Sequence, residues 1–428
     1  MKQGRSSACS ARLWLAVTSS QVANLNISAN VASEYGCNAT CYKALSAGLA
    51  IDAAAYGALY NEDFYATADN FSASVPGDIL KFQPINSDDL SGSVPKGTTA
   101  YRLQYTSIDL FGNKVPVTGF VAFPYANRTN VHLFQTVAWA HGTSGVFKGC
   151  APSVMPSLYE YASWSHLIDR GYTVVAIDYA GLGNDNTGHP YVALSAHAND
   201  VFYSVAAMSV GYSQGGGTVY SAPAGKYLGT IAQAPGVFMG STALAASESP
   251  KNFTSDVGSS RSVFGELGWA LIGVQNIYPN KTVDWIDSTF KKRLELAKKA
   301  QACYASMESL ATDLNINHIV SLSANTTAEQ AQRIISLLDE LSAVGVKKSC
   351  QPILVVQGLE DVSVLPQVVE SAYNATCQAG SEVHLQLYLG LDHDLVIPAS
   401  APYFLQRMDD RFDSVATQGG CSRETVEP

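Results

Sequence analysis

A serine between small residues stands near the middle of the sequence, in the segment Gly211-Tyr212-Ser213-Gln214-Gly215. This is a G-x-S-x-G pattern, in which small residues let the backbone turn tightly from a strand into a helix. The serine hydroxyl then projects freely and can act as a nucleophile when a neighbouring base accepts its proton. Taken alone, the pattern fits a glycine-rich loop without chemistry equally well, so its context must decide.

An acid and a histidine follow Ser213 in the chain order that this chemistry requires. Asp361 follows one strand-like run and His393 follows the next. Because the two loops leave one edge of a sheet, we expect His393 to take the serine proton and Asp361 to orient the imidazole. Glu360 remains an alternative acid. His384 is a less favoured alternative base, because it lies within a predicted strand.

Two backbone N–H groups are expected to bind the negative charge that develops on a substrate oxygen. One belongs to Gln214, which follows the serine, and the other to Thr143, in a glycine-containing loop after an apolar run. In the same loop we expect His141 to support the backbone rather than to react. Asp178, at the end of another strand-like run, is expected to have a structural role.

Continuous apolar segments predict the elements that position these residues. Such runs, bounded by Gly and Pro, are typical of parallel strands buried on both faces. They occupy 134–140, 173–177, 228–234 and 353–356. Ahead of them, 101–109 and 115–123 alternate like an antiparallel pair. An antiparallel start followed by parallel strands predicts an α/β class protein with the α/β-hydrolase fold.

Residues 240–348 contain helical patterns and little strand, and we interpret them as a helical cap inserted into the sheet domain, 26–239 and 349–428. Thr326 and Glu329 form a capping box within this stretch. Ordinary helices that cover the sheet are the alternative. Five apolar residues of the stretch are candidates for an acyl tunnel or, as we favour, for the core of the cap: Val263, Phe264, Leu267, Trp269 and Leu271.

Composition excludes several classes of protein. The chain has 428 residues, 47% of them hydrophobic and 14% charged, with a net charge of −10. This balance supports a sizeable core. Lys and Arg are not clustered, so nucleic acid is not an expected partner. No apolar stretch reaches the roughly 18 residues of a membrane-spanning helix.

Two further features favour secretion. The eight cysteines include no C-x-x-C pair, which favours disulfides over zinc. We expect Cys150 to pair with Cys303 and Cys377 with Cys421, although eight cysteines allow about 105 pairings. N-x-S/T glycosylation sequons begin at Asn26, Asn38, Asn70, Asn127, Asn252, Asn280, Asn325 and Asn374.

The amino terminus resembles a secretory signal imperfectly. Lys2, Arg5 and Arg12 precede an apolar run at 13–17, whereas a signal peptide has an apolar region of about 7–15 residues. We assign residues 1–25 to this signal segment.

Six runs, in this order, resemble the fungal and bacterial secretory lipase family, which includes the lipase A type from yeast: AWAHGTSG, GCAPS, AIDYAGLG, GYSQGGG, YLGTIA and GLDHDLVIPAS. The resemblance extends over nearly the whole chain from about residue 70. It implies an α/β-hydrolase domain with a helical cap and no cofactor or metal. Carried over by position, it also implies a triad of Ser213, Asp361 and His393 that acts on carboxylic esters, often acylglycerols.

One segment is shorter than this fold requires. A crossover helix, a loop and the strand before Ser213 need roughly 20 residues, but only 198–212 are available. We therefore expect 204–210 to be recruited as the strand, with the helix ending by about Phe202. The alternative is that the polypeptide lacks a segment.

These observations predict a secreted serine hydrolase that cleaves small-molecule or lipid esters, with a lipid–water interface as a candidate place of action. A secreted serine peptidase of the same fold is the first alternative. A non-catalytic or defective family member is the second, because of the short segment around 201–210. The sequence does not indicate an oligomeric state.

Overall fold

A computed structural model describes the chain between residues 22 and 427. The parts of that stretch outside the description are 129–133, 205–206, 222–226, 249–256, 282–285, 315–317 and 319–327.

The core of the protein is one ten-stranded sheet. The strands are β1 Ile79–Pro84, β2 Thr99–Ile108, β3 Lys114–Phe123, β4 Thr136–Ala140, β5 Thr173–Ile177, β6 Met208–Tyr212, β7 Thr230–Gln233, β8 Ile353–Gly358, β9 Val383–Tyr388 and β10 Cys421–Val426. Their spatial order is β1-β2-β3-β5-β4-β6-β7-β8-β9-β10. The exchange of β4 and β5 places β4 beside β6, the strand that ends at Ser213.

The pairing directions follow the sequence patterns. β1, β2, β3 and β5 pair antiparallel, and every pair from β5 through β4 to β10 is parallel. Every residue of β5, β6 and β8 is buried, as expected where helices cover both faces of parallel strands. The predicted α/β-hydrolase fold is confirmed.

Thirteen helices are found among the described residues. They are α1 Ala29–Glu34, α2 Ala39–Ala55, α3 Glu62–Tyr65, α4 Ser165–Asp169, α5 Leu194–Tyr203, α6 Gln214–Tyr220, α7 Met239–Glu248, α8 Val257–Ile277, α9 Ser288–Ala300, α10 Tyr304–Ser309, α11 Ala328–Leu341, α12 Pro366–Gln378 and α13 Val396–Phe412. None of them, within the described ranges, is both long and apolar enough to span a bilayer.

The short segment before Ser213 does form the strand that the fold needs. The crossover helix α5 ends at Tyr203, one residue after the predicted end, and β6 pairs with β4 on one side and β7 on the other. The strand covers 208–212 rather than 204–210, because Ser204 still caps α5. Recruitment is therefore confirmed, with a strand that starts four residues later than expected.

Helices α7–α11 lie between β7 and β8 in the chain and share an apolar core with α1 and α2. Trp269 and Leu271 are buried in this core and Leu267 packs against it, so the preferred core interpretation holds for these three. The side chains of Val263 and Phe264 lie outside the described residues, as does Thr326 of the predicted capping box. The boundaries 240–348 for a cap stay a prediction.

Residues just before α1 belong to the folded structure. The Asn24 N–H donates to Gln301 O at 3.0 Å and the Leu25 N–H to Ala300 O at 2.8 Å. The Cys303 N–H donates to Asn24 Oδ1 at 3.0 Å. Of the predicted signal segment 1–25, residues 1–21 lie outside the description, whereas Ala23 is buried beside the Cys150–Cys303 disulfide and Asn24 and Leu25 bond to residues 300–303.

Both predicted disulfides are present. Cys150–Cys303 joins the loop after β4 to the start of α10, and Cys377–Cys421 joins α12 to β10. A third, Cys37–Cys41, lies at the start of α2.

Candidate active site

Ser213 occupies a strained turn between β6 and α6. Its backbone has φ +55° and ψ −117°, a left-handed conformation that costs a non-glycine residue of order 1–3 kcal/mol. The flanking glycines allow the turn, since a Cβ on Gly211 would lie 2.1 Å from Gly215 O. A Cβ on Gly215 would lie 1.9 Å from Ala140 O. Glycine at 211 therefore lets α6 lie this close to β6, and glycine at 215 lets it lie this close to β4.

Asp361 and His393 form a hydrogen-bonded pair. His393 Nδ1 lies 2.7 Å from Asp361 Oδ2, and the carboxylate is fully buried. Asp361 Oδ2 also accepts from Gln357 Nε2 at 2.9 Å, and Oδ1 accepts the N–H groups of Ser363 and Val364 at 2.9 and 2.8 Å. These donors fix the carboxylate, and the carboxylate in turn fixes the imidazole with its proton on Nδ1.

The pKa of the His393 imidazole results from opposing influences. Burial lowers it, but the Asp361 carboxylate raises it through charge and hydrogen bonding, and Asp394 and Glu266 add further negative charge. The result is a pKa above the ordinary value of 6.5. Tyr212 contributes to the same loop, because its hydroxyl donates to Asp394 and its ring centroid lies 4.9 Å from that of His393.

The two alternative residues lie elsewhere. Glu360 is exposed, and neither it nor His384 lines the cavity that contains Ser213. His384 sits in β9 near the sheet edge, where its ring contacts Glu382 Oε1 at 3.0 Å and Ser422 Oγ at 2.6 Å.

Ser213 and His393 open into one cavity of about 510 Å³. Five tyrosines contribute to its wall: Tyr56, Tyr159, Tyr161, Tyr212 and Tyr304. Ile51 and Asp52 of α2 also line it, so the amino-terminal segment helps to build the site. This contribution could not be predicted from the sequence, because contacts between segments that are far apart in the chain leave no local pattern.

The two predicted oxyanion donors both lie close to Ser213. Thr143 lines the cavity. The residue before it is close to the serine, because a Cβ added to Gly142 would lie 3.5 Å from the Ser213 Cβ. Gln214 is the first residue of α6. Within the described part of the chain, neither the Thr143 N–H nor the Gln214 N–H donates to a protein acceptor.

His141, the first residue after β4, and Asp178, the first residue after β5, are both fully buried. Burial lowers the pKa of His141 to about 3, so the ring is neutral. Burial raises the pKa of Asp178 to about 6 although it accepts bonds from Ser153 and Thr118. These contacts are structural, as expected for both residues. Among the described side chains, no group of three or more His, Cys, Asp or Glu residues is arranged to hold a metal ion.

No protein-family model matches the sequence, and no curated protein matches it significantly. Solved structures with a similar fold include lipase A of Candida antarctica in its closed state, with 15% identity, a TM-score of 0.63, and coverage of 85% of this chain and 88% of that chain. The rice cell wall degrading esterase LipA from Xanthomonas oryzae is 16% identical, with a TM-score of 0.56 and coverage of 80% and 99%. The chain therefore has the α/β-hydrolase fold of the lipase-A-like proteins, as its sequence resemblance implied.

Proposed function

We propose that this chain is a secreted serine hydrolase of the lipase-A-like family, which cleaves carboxylic esters through an acyl-enzyme. The observation that carries the proposal is the arrangement of Ser213, on a strained turn, in one cavity with a histidine held by a buried carboxylate. A non-catalytic protein has no need to maintain strain at the serine and a fixed imidazole in the same cavity.

The proposed reaction uses the five predicted residues in two steps. Ser213 Oγ attacks the ester carbonyl carbon while its proton passes to His393 Nε2, and Asp361 stabilises the resulting imidazolium. The N–H groups of Gln214 and Thr143 bind the oxyanion. The imidazolium then protonates the departing alcohol, which leaves an acyl-serine, and water repeats the sequence to release the acid.

Acylglycerols at a lipid–water interface are the substrates we propose. Large apolar side chains are exposed at or next to the cavity lining: Ile51, Tyr161, Tyr304, Val362 and Leu395. An exposed apolar rim of this kind suits a lipid surface. The neighbours' names, a lipase and an esterase, favour ester over peptide substrates.

Secretion is supported by the three disulfides and by the sequons. Disulfides persist in oxidising compartments. Of the sequon asparagines in the described residues, Asn127 is half-buried and the other five are exposed.

The test is hydrolysis of p-nitrophenyl esters of increasing chain length, of emulsified triacylglycerol, and of a peptide p-nitroanilide. The proposal predicts ester hydrolysis that is lost in Ser213→Ala. Hydrolysis of the anilide alone would favour the peptidase, and no turnover by a folded protein would favour the non-catalytic alternative.

A further inference from the structure

The loop of residues 141–144 is fixed through its carbonyl groups. Each of its four carbonyl oxygens accepts a hydrogen bond from a side chain. The donors are Tyr179 Oη to His141 O at 2.9 Å, His141 Nδ1 to Gly142 O at 2.5 Å, Tyr159 Oη to Thr143 O at 2.8 Å and Tyr56 Oη to Ser144 O at 3.2 Å.

These bonds orient the N–H groups of the loop. In a planar trans peptide the N–H points opposite to the carbonyl of the same unit. The Gly142 carbonyl faces the buried His141 ring, so the Thr143 N–H points away from that ring. The Thr143 carbonyl faces Tyr159, which fixes the next peptide unit. Thr143 thus has both of its peptide planes held.

The Thr143 side chain is held as well. Its Oγ1 lies 2.9 Å from Tyr191 Oη. With two peptide planes and one side chain fixed, little rotation is left at this residue. A preorganised donor of this kind stabilises a developing oxyanion without reorganising during the reaction.

Tyr159 reaches the loop at the expense of backbone strain. Leu158 and Tyr159 have φ values of +50° and +60°, and left-handed residues of this size are uncommon outside functional sites. Burial raises the pKa of the Tyr159 phenol, so its hydroxyl stays protonated and donates. Its ring lies 5.4 Å from that of His141, which donates to the preceding carbonyl.

We propose that Tyr159 is a positioning residue for the oxyanion site: its hydroxyl holds the Thr143–Ser144 peptide unit and so restricts rotation at Thr143, while His141 holds the preceding unit, which carries the Thr143 N–H. The inference rests on the proposed ester hydrolysis and adds a residue that acts through Thr143 rather than on the substrate. Tyr191, through the Thr143 side chain, supports the same residue.

The test is Tyr159→Phe, which removes one hydroxyl and keeps the ring. Removing a whole oxyanion donor costs about 10²–10³ in kcat, so loosening one is expected to lower kcat about 10- to 100-fold, with KM within about threefold of the parent. The serine adds to the carbonyl of a trifluoromethyl ketone inhibitor and forms an oxyanion. The affinity of the variant for this inhibitor should therefore fall in parallel with kcat/KM.

The matched control is Tyr105→Phe. Tyr105 Oη also donates to a backbone carbonyl, that of Asp200, at 2.7 Å, but away from the loop. The Tyr105→Phe variant should lose about as much stability as Tyr159→Phe, but it should keep the kcat and the inhibitor affinity of the parent. Tyr191→Phe serves as the second variant, with a smaller loss of kcat, should Tyr159→Phe fail to fold.

Two failures are distinguishable. A parent protein that neither turns over esters nor forms the ketone adduct overturns the proposed function, and the inference with it. An active parent whose Tyr159→Phe variant keeps kcat and ketone affinity within twofold overturns the inference alone. So does a loss of kcat that Tyr105→Phe reproduces, because lost stability would then explain it.

Discussion

Replacing Asp361 with Asn tests how the buried carboxylate controls His393. The two carboxylate oxygens have different partners. Oδ1 accepts hydrogen bonds from two backbone N–H groups, and Oδ2 accepts hydrogen bonds from Gln357 Nε2 and His393 Nδ1. An amide has only one acceptor oxygen. With its NH₂ at the Oδ1 position, the amide would leave two backbone donors unsatisfied, at about 1–3 kcal/mol each.

The NH₂ is therefore expected at the Oδ2 position, facing His393. There it can only donate, so the imidazole must present an unprotonated Nδ1 and carry its proton on Nε2. An Nε2–H cannot accept the Ser213 proton. The wrong tautomer is expected to lower kcat by about 10³–10⁴, a barrier increase of about 4–5 kcal/mol.

The pH dependence gives a second readout. Turnover needs neutral His393, so the parent rate should fall as the pH drops through the His393 pKa, which is raised above 6.5. Asn removes the largest influence that raises this pKa, and the residual activity should persist to lower pH. Stopped assays with p-nitrophenyl butyrate between pH 5 and 9 measure both effects.

Glu360→Gln is the matched control, because it neutralises the adjacent, exposed carboxylate. It should keep the parent rate and profile. An Asp361→Asn enzyme within tenfold of the parent, or with an unshifted acid limb, would refute this explanation of the pair.

Two further predictions concern the stability of the fold and a third concerns glycosylation. Replacing Cys150 and Cys303 with Ala should lower the free energy of unfolding by up to about 5 kcal/mol, because this disulfide closes a loop of 153 residues. Removing the disulfide at the start of α2, which closes a four-residue loop, should cost only about 2 kcal/mol. Urea titrations of the two variants measure both losses, and equal losses would contradict the prediction. Inserting roughly a dozen helix-forming residues between α5 and β6 should cover the apolar cavity of about 240 Å³ beside Tyr203 and stabilise the protein by about 2 kcal/mol. A lower urea midpoint would contradict the interpretation that a helix segment is missing there. Protein secreted from a eukaryotic host should lose mass on treatment with N-glycosidase, and an unchanged mass would argue against use of the sequons.

Local patterns were sufficient for most of the sheet, although they did not predict β1 or β10. The run at 173–177 coincides with β5, because a strand buried on both faces must be apolar throughout. Residue type and chain order led to the prediction of Ser213, Asp361 and His393, since each lies in the turn or loop after a predicted strand. The length of this segment also predicted that α5 ends early, by about Phe202, and in the structure it ends at Tyr203.

Contacts between distant segments could not be predicted. The packing of α2 on α10 depends on Asp52, whose buried carboxylate accepts the N–H groups of Ala305 and Ser306 at 3.0 and 2.8 Å. A single aspartate in a helical run gives no sign of a partner 253 residues away. The tyrosines that hold the loop at Thr143 could not be predicted either. A hydroxyl that donates to a backbone carbonyl requires no particular residue at the acceptor, so the contact leaves no sequence pattern.

The central claim is that Ser213 is the nucleophile of an ester hydrolase. The most direct measurement is to label the purified chain with a fluorophosphonate and to locate the adduct by peptide mass spectrometry, in parallel with p-nitrophenyl ester hydrolysis by the parent and by Ser213→Ala. We expect a single adduct on Ser213, and a folded Ser213→Ala protein that neither labels nor hydrolyses the ester. Labelling of a different residue, or activity of Ser213→Ala within tenfold of the parent, would contradict the claim.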